Sequence, residues 1–179
     1  MSQQIQKQIV PVLKKHFAED WKIIIALAYC RIVYQAPIKN VAFHLDCSSL
    51  LQMIDMESPA EKTVSQALRK IGTLRSNTVA YMKEFEQPDE YVLVDATDIS
   101  CNSNNISLSQ KGYNSDMNFE PQVTLLYIYS AKTHKPYFYR LVAGNIRDVT
   151  ALKNALIESG ITQAIFISKA FIPTTTLPS

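Results

Sequence analysis

Glycine is scarce in this chain, 4 among 179 residues, so each one is expected to mark a boundary between elements. Cysteine is scarcer. Cys30, Cys47 and Cys101 are odd in number and lack CxxC spacing, which excludes a disulfide framework and a zinc site of the usual kind. His16, His44 and His134 are scattered and suggest no metal cluster. No long hydrophobic run is present: the longest, residues 23–30, falls far short of the roughly 20 residues a membrane span needs. The polar start, residues 1–7, lacks the apolar centre of a secretory signal. A soluble, cytoplasmic chain with reduced cysteines is the expectation, with no membrane partner.

What remains is ordinary for a folded protein, with 47% apolar and 19% charged residues and no repeat or low-complexity tract. The net charge of +2 hides a division. Residues 1–83 carry 11 Lys/Arg against 6 Asp/Glu, while residues 84–179 carry 7 against 10. A basic front joined to an acidic back fits a nucleic-acid contact module ahead of a carboxylate site. Ordinary scatter of surface charge fits equally well.

Residues 1–86 read as an all-α domain. Ile9, Leu13 and Phe17 form one helical stripe, and Ile24, Leu27 and Ala28 another, with Pro11 at a first turn or break. Residues 38–56 suit two short helices. Ser58-Pro59-Ala60-Glu61 has the form of a capping box, in which a Ser side chain and a Glu three residues later satisfy reciprocal amides. Val64, Leu68 and Ile71 would then face inward, and Gly72 would end the helix in a left-handed turn. Lys62, Gln66, Arg69 and Lys70 lie towards the other face, with Arg75 beyond them. Preceded by the short 48–56 helix, they suit the recognition helix of a helix-turn-helix that contacts double-stranded DNA, or a plain solvated face.

Residues 91–179 read as an α/β domain. Strands are expected at 91–98, 122–130, 136–142 and 161–168, with a polar loop over 101–121 and a helix over 147–159. The short 131–135 turn makes the middle pair an antiparallel hairpin. Strand, loop, strand, strand, helix, strand is the order of a ribonuclease H-like nuclease core. Two-metal phosphodiester chemistry in such a core needs carboxylates converging from different elements on ions about 4 Å apart. Asp95, on the first strand, is the candidate ligand for Mg²⁺ and the catalytic candidate; a strand-end aspartate bonded to backbone amides is the plainer alternative. Asp98 makes a poor partner, because three residues along a strand put side chains on opposite faces. Asp148 falls in a first helical turn, where the helix dipole favours a negative charge for structural reasons alone.

Four motifs in order resemble the DDE transposases of bacterial insertion sequences: Val94-Asp95-Ala96-Thr97, Lys111-Gly112-Tyr113-Asn114-Ser115-Asp116, Pro121-Gln122-Val123, and Gly144-Asn145-Ile146-Arg147-Asp148. The likeness spans about residues 91–168; the helical front resembles the family more loosely. It implies a mixed, ribonuclease H-like sheet, Mg²⁺-dependent cutting and joining of transposon ends, and Asp95 as first acid of the triad. Lys111 and Tyr113 would lie where DNA approaches in the family. The family's second aspartate follows the fourth strand, where this sequence reads Ser168-Lys169-Ala170-Phe171, and its third acid would lie beyond Ser179. The expectation is therefore an incomplete, truncated copy that binds transposon-end DNA without cutting it. The alternative is a non-catalytic inhibitor of transposition that acts alone, as a homo-oligomer, or with full-length transposase. A sheet lacking its C-terminal helices is also expected to expose apolar surface and self-associate.

Overall fold

A computed structural model describes residues 5–86, 91–103, 105–112, 119–146, 148–161 and 166–167. The chain divides into two compact units, Met1–Glu84 and Phe85–Ser179. No described helix is long and apolar enough to cross a membrane.

The first unit is helical. After a π-helical turn at Ile5–Ile9 come α1 (Val10–His16), α2 (Trp21–Tyr34), a 3₁₀ turn at Ile38–Asn40, α3 (Val41–Asp46), α4 (Leu50–Ile54), α5 (Glu61–Thr73) and α6 (Arg75–Lys83). Pro11 sits in the first turn of α1, where a missing amide hydrogen leaves no bond unmade. Leu13, Phe17, Ala26, Cys30, Leu45 and Val64 are among the core residues of the unit. Burial raises the pKa of the Cys30 thiol, so this cysteine behaves as a small hydrophobe.

Several local expectations need correction. On α2 the buried residues are Ile23, Ile25, Ala26 and Cys30, whereas Ala28 is exposed. A helix apolar nearly all round does not declare its inner face. The capping box does not form: α5 begins at Glu61 with Ala60 as N-cap and no side-chain cap bond. Gly72 lies inside α5, which ends at Leu74 with a negative φ instead of a left-handed glycine. Leu68 remains 40% exposed, while Val64 is fully buried and Ala67 and Ile71 pack on the core.

The end of α6 is tied back to α1. Glu84 accepts from Lys15 and lies 3.0 Å from His16 Nε2, and Asn77 Nδ2 donates to the His16 carbonyl at 2.7 Å. Lys15 first, then His16, hold the Glu84 carboxyl below its ordinary range. A lowered carboxylate pKa stabilises the fold above the unfolded value and loses that contribution as pH falls through the folded one. The stability gap between wild type and Glu84→Gln should therefore hold from pH 7 to about 5. It should close below about pH 4, the usual glutamate range. High salt should shrink it, since the contact is exposed. Thermal melts at several pH values measure this; a gap that persists undiminished well below pH 4 contradicts it.

The second unit contains β1 (Val92–Ser100), β2 (Gln110–Lys111), β3 (Pro121–Ser130), β4 (Pro136–Ala143), α7 (Asp148–Ser159) and β5 (Phe166–Ile167). These give a mixed α/β sheet. Long β3 is its hub, pairing antiparallel with β1 on one edge and with β2 and β4 on the other. On the far side of β1, β5 runs parallel, with Val92 opposite Phe166 and Leu93 opposite Ile167. The β3–β4 turn is closed by Ser130, whose fully buried hydroxyl accepts from the amides of Lys132 (3.1 Å) and Thr133 (2.9 Å). His134 takes the one left-handed position of that turn, at φ 56°.

Helix α7 packs on one face of the sheet. Ala151, Leu152 and Ala155 are buried there, and Leu126, Ile128 and Phe138 from β3 and β4 are almost fully buried. Arg140 of β4 reaches α7, donating to Glu158 at 2.6 Å and to the Asn154 carbonyl at 3.3 Å. The expected inward positions Leu152 and Leu156 are buried and half-buried, while the side chain of Val149 lies outside the described residues.

Gly112 and Gly144, from two of the motifs, meet where β2 comes up to the end of β4. A Cβ on Gly112 would lie 1.8 Å from the Gly144 carbonyl oxygen. A Cβ on Gly144 would lie 2.4 Å from the Gln122 carbonyl oxygen and 2.7 Å from that of Gln110. Only glycine permits these backbones to approach so closely.

Candidate functional site

The register of β1 decides what surrounds Asp95. Pairing with β3 runs unbroken from Val92 opposite Ser130 to Ser100 opposite Gln122, so β1 has no bulge. Residues alternate between faces along it. Val92, Val94 and Asp98 share the face that α7 covers, and Asp95 lies on the other. Asp98 is accounted for on its own side: Thr124 Oγ1 donates to Asp98 Oδ1 at 2.7 Å. The two aspartates cannot reach one ion.

Asp95 is exposed in the middle of β1, directly across from Tyr127. Tyr127 in turn pairs with Tyr139 of β4, and their rings lie 6.1 Å apart. Ile99, Tyr127 and Leu141 on this face are 45%, 39% and 45% exposed. Among the described residues no helix of this unit covers it. Asp95 thus sits on an open, partly aromatic sheet face. The tyrosines were not singled out in the sequence, although the period-two pattern of β3, extended across the hairpin, places them there.

The parallel strand β5 is the other neighbour. Its last described residue, Ile167, stands opposite Leu93, two residues short of the level of Asp95. Residues 168–179, including Ser168-Lys169-Ala170, lie outside the described residues, as do Tyr113–Asp116 and the side chain of Asp148.

Among the described residues, no group of three or more His, Cys, Asp or Glu is gathered to hold a metal ion. Mg²⁺ wants six oxygen ligands in near-octahedral order, one or two of them carboxylates held firmly by the protein. A single exposed carboxylate does not meet that need. The described residues therefore do not fit a resident Mg²⁺ ion.

The basic residues fall in two places. Lys62, Gln66 and Arg69 are spaced i, i+4, i+7 on α5, all exposed and opposite the buried Val64 side. Lys70 lies just off this stripe and is occupied: it bridges Asp20 (2.9 Å) and Glu19 (3.1 Å). Asp20 first, then Glu19, raise its pKa, so Lys70 stays charged but is neutralised locally. Arg75 is half-buried at the start of α6. Helix α4 is only five residues long and is joined to α5 through residues 55–60. That connection is longer than the three or four residues of a compact helix-turn-helix.

Lys111 stands alone in β2, exposed and opposite Pro121. It shares the face of Asp95 but is six residues away along β3, about 20 Å. A depression of about 500 Å³ near it is lined by Cys101, Asn102, Ser103, Ser109, Gln110 and Pro121, among others. It does not include Asp95.

No protein-family model, curated protein or solved structure matches this chain. The reading of function therefore rests on the residues themselves.

Proposed function

We propose that this chain is a DNA-binding protein of the DDE-transposase kind, with a ribonuclease H-like sheet that does not cut DNA. The observation that carries this is the position of Asp95. It lies on the first strand of its unit, which is central, with antiparallel β3 on one side and parallel β5, reached through α7, on the other. In such cores the first-strand carboxylate and one following the parallel strand hold the catalytic metal together. The parallel pairing of β5 with the start of β1, up to Ile167 opposite Leu93, supports that correspondence. Where the family has its second aspartate, this sequence has Ser168-Lys169-Ala170.

The open face around Asp95 would lie against the DNA strand, and the α5 stripe of Lys62, Gln66 and Arg69 would contact the phosphates of a duplex. Lys111 supplies a further cation on the Asp95 face. Mg²⁺ is the family's ion, but among the described residues no group of acids is gathered with Asp95 to seat it, and no chemical step is assigned to it. A second reading, a non-catalytic regulator that occupies transposon ends, is favoured by the lack, among the described residues, of a metal-holding group of acids around Asp95. The exposed Ile99, Tyr127 and Leu141 would suit self-association or pairing with an intact transposase.

Duplex DNA from the regions flanking the gene, incubated with the full chain in Mg²⁺, tests this. Retarded complexes without strand cleavage are expected. Cleavage that disappears in Asp95→Ala would refute the non-cutting claim, and absence of complexes at low salt would refute DNA binding.

A further inference from the structure

The sequence has no basic run interleaved with aromatics, yet folding gathers four rings from two helices of the first unit. Tyr29 and Tyr34 meet edge-on near the end of α2, with centroids 5.8 Å apart. Tyr34 stacks on His44 of α3 at 4.4 Å and 14° between planes. His44 then meets Phe43 at 5.4 Å, again edge-on. The fold brings them together because Gln35 ends α2 in a left-handed turn and α3 returns against α2.

The series ends in the open. Phe43 is 66% exposed and Tyr34 38%. Arg31, one turn before Tyr34 on α2, and Lys39, in the 3₁₀ turn that leads to α3, are both exposed. Neither makes an ion pair among the described residues, unlike Lys15, Lys22 and Lys70 of the same unit. Asp46 is the one carboxylate on α3. Exposed flat rings, with exposed cations on the same helix and in the turn that follows it, match the two parts of a single nucleic-acid strand. Bases stack on rings regardless of sequence, and Lys and Arg meet phosphates.

We propose that this ring series binds unpaired bases of a DNA strand, with Phe43 as the outer stacking surface and Arg31 and Lys39 towards the phosphates. The inference rests on the DNA-binding reading above and deepens it. A protein partner would instead use the aliphatic neighbours Ile32, Val33 and Ile38, exposed at 79%, 54% and 46%, and would not depend on the rings.

The test uses the full chain and two labelled DNAs, a blunt duplex and the same duplex with a single-stranded tail containing 2-aminopurine. The wild type should bind the tailed DNA more tightly and change the 2-aminopurine fluorescence by stacking. Phe43→Ala, a surface change, should weaken tailed-DNA binding by about tenfold. It should abolish the fluorescence change and leave blunt-duplex binding intact, and Phe43→Trp should retain both signals. If blunt-duplex binding persists but the tail adds nothing, or Phe43→Ala leaves its gain unchanged, the stacking surface is refuted while DNA binding stands. If the wild type binds neither DNA at low salt, both readings fall. If Phe43→Ala converts an oligomer to a monomer without changing tail binding, the face belongs to a second copy and the proposal is overturned.

Discussion

Gly144→Ala is expected to destabilise the sheet unit by about 3 kcal/mol or more, near the upper end of what a single substitution does. The added carbon would stand 2.4 Å from one backbone oxygen and 2.7 Å from another, and neither can swing away like a side chain. Relief would require β2 or the start of β3 to move, which breaks the pairing of Gln110 with Gln122. Gly112→Ala should act in the same direction, since its Cβ would overlap the Gly144 carbonyl. Gly72→Ala is the control. A Cβ there meets nothing within 4 Å, and the residue lies inside a helix, so alanine should stabilise α5 by about 0.5–1 kcal/mol. Urea unfolding with hydrogen exchange read on β3 and β4 separates the outcomes. Equal effects at positions 72 and 144 would contradict the packing described.

Those glycines also mark how far the sequence could be read. Gly72 was misread as a helix end, and only the sheet brings residues 112 and 144 against one another, a meeting that no local pattern encodes. The runs 122–130 and 136–142 and the turn between them were plain, because buried strands and a short polar turn have local signatures. The opposite facing of Asp95 and Asp98 followed from the period of two, and the unbroken register bears it out. Strand β2 was not legible: two residues in a polar loop carry no periodicity, and pairing with β3 alone defines them. The inner face of α2 was misread because residues 23–30 are apolar on every side. The Ser58 cap failed because the extended backbone of Ala60 starts α5 later than the motif suggested.

Reversing the α5 stripe is the second large expectation. The double variant Lys62→Glu, Arg69→Glu should weaken duplex DNA binding by roughly 10- to 100-fold at low salt. It should also reduce the slope of log affinity against log salt by about two, one per lost phosphate contact. Folding should be spared, because both side chains are exposed and opposite the core. Lys70→Glu should behave differently. It places a third acid beside Asp20 and Glu19, so it should destabilise the helical unit more than it changes the salt slope. Anisotropy titrations at several salt concentrations, paired with thermal melts, check both. If Lys70→Glu loses as much of the slope as the stripe does, the phosphate contacts have been misassigned.

The most direct test of the account asks whether DNA lies over Asp95. With Cys47 and Cys101 changed to Ser and the buried Cys30 kept, Asp95→Cys offers one reachable thiol for an iron-EDTA tether. The tethered protein, bound to duplex DNA, should cut the backbone in a short, defined stretch on addition of peroxide. The same tether at Lys153→Cys, exposed on α7, should not. A complex that forms but is cut from neither position, or equally from both, would contradict the claim that the open face of the sheet is where the DNA strand lies.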